Sequence, residues 1–294
     1  MTIFNFGSIV SDNFYRTPRI PAPGESVRVD SYKNGLGGKG ANQSIAAKKA
    51  GSDVIHIGAV GYDGDELLDI FRNNGVNTEN IHKTNIKTGH ANITIDPSGE
   101  NAITFFAGAN DTQTLERLTR GFDSALPGDI CLLQNEVNLV LDAAKVAKSK
   151  KMKVIYSAAP FNIAHVKSVF DYVDLTVVNQ TEHALLVQEF GSSFDKPLLI
   201  TKGSEGSCYL SASKKFNHTT PNVIPVDTTG AGDTYLGYFA SYLDQGRGIE
   251  EAMNIASFAA ALQVTKNGTS EAIPNLMTVT KFWKSSGIET LTLN

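Results

Sequence analysis

The sequence predicts an α/β fold: a doubly wound, mostly parallel sheet flanked by helices, with a small β-sheet lid. Three observations carry the prediction. Apolar runs of strand length alternate with helix-period segments over most of the chain. Two short stretches break that rhythm, with apolar residues alternating with charged ones as in a sheet wet on one face. Finally, two glycine-rich turns each run into a helix, an arrangement that offers backbone N–H groups to a ligand.

In chain order, residues 2–10 read as a first buried strand, with Gly7 and Ser8 leaving room for a ligand at its tip. Asp12 follows at once, where open α/β sheets place ligand contacts, although a turn in Ser11-Asp12-Asn13 accounts for it equally well. Pro18, Pro21 and Pro23 punctuate the next stretch, and the alternation at 27–33 predicts an antiparallel strand. Its companions are 89–96 and 101–106, joined by the turn Asp96-Pro97-Ser98-Gly99. Residues 13–34 and 89–106 are thereby assigned to the lid, and 1–12, 35–88 and 107–294 to the α/β body that binds nucleotide and substrate. The lid's apolar face needs covering, by a substrate, by another subunit or by both.

Within the body, strands are expected at 54–60, 129–134, 153–157, 174–178 and 197–201, with helices at 63–74, 138–150, 162–170 and 181–190. The β-branched run Val223, Ile224 and Val226 reads as one more strand, entering the second glycine turn. The last third is helical, over 233–244, 249–264 and 275–286.

The composition, with 41% hydrophobic and 19% charged residues and a net charge of −4, carries no basic excess that would suit nucleic acid or an anionic membrane. Cys131 and Cys208 lie in apolar runs, as buried reduced thiols do, and the six histidines show no zinc-ligand spacing. No run approaches the length of a membrane span and no secretory leader precedes the first strand, so cytoplasmic residence is expected.

The chemistry gathers at the two glycine turns. Val226-Asp227-Thr228-Thr229-Gly230-Ala231-Gly232-Asp233-Thr234 leads into Tyr235, Leu236, Phe239, Ala240 and Leu243, spaced as one buried helix face. Gly230 and Gly232 let the backbone curl, so unpaired N–H groups and the positive end of the helix dipole form an anion site. Asp233, in the first turn, is kept ionised by the same field and stands where it can take a proton from a hydroxyl attacking phosphorus. For a lone Gly-Ala-Gly-Asp, a capped turn is the plainer account. A second site changes the balance.

That site is residues 34–42. Gly35, Gly37 and Gly40 satisfy the dinucleotide spacing, with Asp63 as a ribose-binding acid, which would make a NAD-dependent oxidoreductase. The preceding segment, however, alternates with charges where a central strand should be apolar throughout. The run also fails as a phosphate-binding P-loop, because Gly40 rather than Ser or Thr follows Lys39. Glycine N–H groups with the Lys39 and Asn42 side chains suit the hydroxyls of a polyol. Further polar residues fall at strand ends: Glu136, Asn179, Thr201 and Asp227. Asn179-Gln180-Thr181-Glu182 reads as a capping box, or as a holder of hydrated magnesium against nucleotide phosphates, or as both. Residues 201–206 read as a hairpin turn placed to line a nucleotide pocket.

Taken together, Gly37-Gly38-Lys39-Gly40-Ala41-Asn42 and Asp227-Thr228-Thr229-Gly230-Ala231-Gly232-Asp233-Thr234 resemble the two signatures of the ribokinase, or phosphofructokinase-B, family of carbohydrate kinases. The resemblance implies ATP-dependent phosphoryl transfer to a primary hydroxyl of ribose or a related sugar, with fructokinase, sugar-acid kinase and nucleoside kinase as alternatives. It also implies Asp233 as general base and the N–H groups of Gly230, Ala231 and Gly232 as anion hole. Asp12, Gly38, Lys39, Asn42 and Glu136 would hold the sugar, while Asn179, Glu182, Thr201 and Gly203 would face ATP and its magnesium. Asp227 and Thr229 match positions that in the family help to bind a monovalent cation, usually potassium. The lid in ribokinases also mediates dimers, which implies a homodimer here. One position departs: ribokinases usually carry Asn where Val10 stands, so a sugar hydroxyl loses a hydrogen-bond partner there.

Overall fold

The computed structural model describes residues 1–191 and 194–286. Ser192, Ser193 and residues 287–294, all assigned above to the body, lie outside the described residues. In chain order the strands are β1 (Thr2–Phe6), β2 (Val10–Arg16), β3 (Ser31–Gly37), β4 (Asp53–Val60), β5 (Ile81–Lys83), β6 (Gly89–Ile95), β7 (Asn101–Phe106), β8 (Ile130–Leu133), β9 (Lys153–Ser157), β10 (Leu175–Asn179), β11 (Leu198–Thr201), β12 (Ser207–Leu210) and β13 (Lys215–His218). The helices are α1 (Lys39–Lys49), α2 (Asp65–Asn73), α3 (Leu115–Gly121), α4 (Val140–Ser149), α5 (Ile163–Val169), α6 (Gln180–Phe190), α7 (Ala231–Asp244), α8 (Ile249–Gln263) and α9 (Leu276–Ser285).

The larger sheet has nine strands in the order β13-β12-β11-β10-β9-β8-β1-β4-β5. It is parallel from β11 to β5 and ends in the antiparallel hairpin of β12 and β13. Its central strands are apolar almost throughout because both faces are covered: all of Ile130–Leu133 is buried, as are Ile3, Phe4 and Phe6. Ile45, Phe239 and Phe258 belong to the core on one face, and Phe122, Val166 and Leu186 to the core on the other. Both cysteines are buried and free, and burial pushes the Cys131 thiol up. No helix among the described residues is long and apolar enough to cross a membrane.

The small sheet has the order β3-β2-β6-β7. Its outer pairs are antiparallel, as expected, but β2 and β6 run parallel. The expected strand over 2–10 is in fact two, since β1 belongs to the larger sheet and β2 to the smaller. Ser11, Asp12 and Asn13, which look like turn residues, are strand residues whose polarity has local causes: Asn34 donates to Ser11 and Tyr32 to Asn13 across the β2–β3 pair. The expected strand at 27–33 forms later, at Ser31–Gly37, and brings the first glycine turn into register with Val10 and Asp12.

Residues 223–226 form no strand. Ile224 and Val226 are exposed and the N–H groups of Val226 and Asp227 both bond Val264 O at the end of α8, so β-branched side chains here lack the neighbouring strand that would make them one. The chain passes between the two sheets at 7–9, 37–38, 88–89 and 107–108, and a glycine stands at each passage: Gly7, Gly38, Gly89 and Gly108. Asn110 fastens the first of them, donating to Ile9 O and accepting from Ile9 N–H, both at 2.9 Å.

Candidate active site

Two helix N-termini meet beside the end of β1. Gly38 precedes α1 with φ of 93°, and a Cβ on Gly40 would lie 2.5 Å from Ser8 N, so only glycine lets α1 start this close to the chain leaving β1. From the second turn of that start, Asn42 Nδ2 donates to Asp233 Oδ2 at 3.2 Å and Gln43 Nε2 to Asp233 Oδ1 at 2.9 Å. Lys39 and Asp233, far apart in sequence, therefore share one cleft. Glu136 joins them: its Oε2 accepts from Lys39 N–H at 2.9 Å and from the Ser8 hydroxyl at 2.5 Å, and its Oε1 lies 4.0 Å from Lys39 Nζ.

Charge in the cleft is lopsided. The carboxylate of Asp233, followed by that of Glu136, raises the Lys39 ammonium above the usual range against the opposing effect of burial. Asp12 is pushed up to about 7, first by burial, then by the charges of Glu136, Glu271 and Asp233, which Lys39 offsets only in part. Asp12 lies inside β2 rather than beyond the tip of a buried strand, and a side chain on Gly37 would occupy its carboxylate, the Cβ falling 1.8 Å from Oδ2. Val10 shares the Asp12 face of β2 by strand alternation, is buried, and sets a methyl 2.9 Å from where a Cβ on Gly38 would be.

At the second turn, Gly230 adopts the left-handed conformation (φ 78°) and α7 begins. Ala231 N–H bonds Thr228 O at 3.3 Å, whereas the N–H groups of Gly230 and Gly232 have no acceptor among the described residues. A Cβ on Gly232 would meet nothing within 4 Å, so this backbone borders open space. A cavity of about 570 Å³ opens there, lined by Thr201, Gly203, Val223, Ala231, Gly232 and Tyr235 among others.

Thr201 and Gly203 are thus brought beside the anion turn, while Asn179 and Glu182 stand outside this cavity. Those two form a full capping box at the start of α6, with Asn179 Oδ1 accepting from Glu182 N–H at 2.9 Å and Glu182 Oε2 from Asn179 N–H at 2.8 Å. Burial raises the Glu182 carboxyl, against the Asn179 N–H and the Lys39 charge. Asp227 Oδ1 accepts from Thr229 N–H at 2.9 Å and Oδ2 from Gly268 N–H at 3.0 Å. Next to them Gln263 Nε2 reaches Thr229 O at 2.6 Å, leaving its own Oε1 buried without a hydrogen bond.

The dinucleotide reading of Gly35–Gly40 fails on placement. The strand before it is an antiparallel member of the small sheet, and Asp63 is occupied in its own loop by Thr88, accepting from N–H at 2.8 Å and from the hydroxyl at 2.7 Å. The sequence also passed over a buried polar layer: Asn5, Gln43, Ser44, His56 and Gln134, all without exposure to solvent. The only signal for it was a polar residue inside or ending an apolar run.

The family pattern described as pfkB family carbohydrate kinase matches residues 2–276. A ribokinase of Staphylococcus aureus is 32% identical, covering 92% of this chain and 95% of its own length. A deoxyribokinase of Salmonella typhi is 30% identical over 94% of this chain and 96% of its own. Among solved structures, an Arabidopsis thaliana ribokinase complexed with ribose and ATP superposes with a TM-score of 0.82 at 26% identity, covering 96% of this chain and 98% of its own.

Proposed function

The chain belongs to the pfkB family of carbohydrate kinases, and from that premise we propose that it moves the γ-phosphoryl group of ATP onto the primary hydroxyl of a pentose, with Asp233 as the base. One observation carries the reading: Asn42 and Gln43, from the helix that Lys39 begins, both hold the carboxylate at the mouth of the anion turn.

In this reading Asp12 and Glu136 accept hydrogen bonds from sugar hydroxyls, the N–H of Gly38 and the side chains of Lys39 and Asn42 donate to them, and the primary hydroxyl lies against Asp233. Asp233 takes the hydroxyl proton as the oxygen attacks phosphorus. The N–H groups of Gly230 and Gly232, with Ala231 once its bond to Thr228 yields, bear the charge that develops on the transferring group. Base and anion hole each contribute on the order of two to three powers of ten. ATP would lie in the cavity beside Thr201 and Gly203. Magnesium, held chiefly by the phosphates, would neutralise their charge, and Glu182 and Asn179 would contact its water shell from the start of α6. A potassium ion would fit near Asp227 and Thr229, where the orphaned Gln263 Oε1 supplies an acceptor. Ile103 and Phe105, exposed on the apolar face of the small sheet, support its pairing with a second copy.

Val10 bears on the choice of pentose. It is an apolar wall among polar groups and cannot pair a hydroxyl, so a sugar carbon without one is favoured there. Deoxyribose is therefore the better acceptor and ribose the second. ADP release over a panel of ribose, 2-deoxyribose, fructose, sugar acids and nucleosides, with and without potassium, tests both points. Val10→Asn is expected to move the ribose-to-deoxyribose ratio of kcat/KM toward ribose by about tenfold or more. An unchanged ratio would remove Val10 from substrate choice, and no turnover of any sugar would remove the kinase reading itself.

A further inference from the structure

From Asp233, buried polar side chains lead inward in a single row. Gln43 Nε2 donates to Asp233 Oδ1 at 2.9 Å, and Gln134 Nε2 donates to Gln43 Oε1 at 2.7 Å and to Asn5 Oδ1 at 3.0 Å. Asn5 Nδ2 donates to Gly40 O at 2.8 Å and to Ser44 Oγ at 3.0 Å. Ser44 Oγ lies 2.8 Å from His56 Nδ1, and His56 Nε2 lies 3.1 Å from Gly7 O.

The direction of every bond follows from the far end. Gly7 O can only accept, so His56 carries its proton on Nε2 and its Nδ1 accepts the Ser44 proton. Burial pushes His56 down to about 3, so the ring stays neutral in this tautomer across the working pH range. Ser44 Oγ, having given its proton away, accepts from the Asn5 amide nitrogen, and Asn5 then turns its oxygen to Gln134. Gln134 gives both amide protons, one to Asn5 and one to Gln43. With its oxygen taken, Gln43 points its own NH2 at Asp233. Turned the other way, the Gln43 oxygen would face a carboxylate and its NH2 would face that of Gln134. The cost of this sense appears at Gln134 Oε1, which is buried with no hydrogen-bond partner.

We propose that Gln134 is a positioning residue for phosphoryl transfer: without touching the sugar-binding residues, it fixes the amide sense of Gln43 and so the orientation of the Asp233 carboxylate. The proposal rests on Asp233 acting as the base. Gln134 directly follows β8, a strand in the middle of the large sheet, and is fully buried there.

A double-mutant cycle on the full-length enzyme tests it, with kcat and sugar KM read from ADP release for Gln134→Leu, Gln43→Leu and the pair. Gln134→Leu should lower kcat about tenfold with sugar KM changed less than about twofold, because only the reacting geometry depends on it. Since Gln134 acts through Gln43, the double variant should be no slower than Gln43→Leu within about twofold. Multiplying effects, or a loss confined to KM, would overturn the proposal. Gln134→Asn, which keeps a carboxamide and most of the packing, is read in the same way should the leucine variant fail to fold. Asp233→Asn, run alongside, separates the two levels: near-normal turnover in that variant would strike the base assignment itself.

Discussion

Asp233→Asn is expected to lower turnover at least about a hundredfold while sugar and ATP still bind within a few fold of the parent. Asparagine keeps the volume and one oxygen, but it cannot accept the hydroxyl proton. It also meets two donors, Asn42 Nδ2 and Gln43 Nε2, with only one acceptor, so one of them must turn away. Lys39 loses the largest of the charges that raise its ammonium, and its titration should fall back toward the ordinary range. Steady-state kinetics, with binding followed by calorimetry, separates loss of chemistry from loss of fold. Turnover near that of the parent would reject the base.

Asp12→Asn is expected to push stability and function in opposite directions. The Asp12 carboxyl is raised from 3.8 to about 7, so its stabilising contribution is complete only below the unfolded value and disappears as pH rises through 7. A neutral amide is spared that charging cost. The variant should therefore be more stable than the parent, and its advantage should grow by about 2 kcal/mol between pH 5.5 and pH 8.5. Thermal melts at the two pH values read this as a parent-to-variant gap several degrees wider in the alkaline buffer. Sugar KM should rise, because a carboxylate acceptor is lost. A stability gap that does not change with pH would show that Asp12 is not held charged against its burial. In the proposed reading, the burial of Asp12 is strain kept for the polyol, whose hydroxyl would be the donor that the Asp12 carboxylate lacks among the described residues.

Much of this site was legible because its signals are local. Gly230, Gly232 and Asp233 announce one helix start and Gly38, Lys39 and Asn42 another, so spacing sufficed for the two turns, while the roles of their residues came only from the resemblance of both motifs together to the family signatures. The same held for the capping box of Asn179 and Glu182. What could not be read is whatever depends on a partner distant in sequence. Gln134 meets Asn5 across 129 positions and Gln43 across 91, and nothing beside either residue names the other. Strand β2 was hidden for a related reason: Ser11 and Asn13 owe their polarity to neighbours on β3 and Asp12 to the cleft, while composition alone suggests a turn. Residues 223–226 err in the opposite sense, since β propensity is expressed only where a neighbouring strand exists.

The glycines at all four passages between the sheets have a mechanical meaning. A swing of the small sheet about that line would spend its dihedral change at Gly7, Gly38 and Gly108, outside both ladders, and at Gly89, where the β6 ladder begins. Three of these joints also border the cleft, since Gly7 adjoins Ser8, Gly38 adjoins Lys39, and Gly89 continues into the strand beside Asp12. Such a swing would carry Asp12, on β2, away from Asp233, on α7, while Glu136 stays beside the larger sheet.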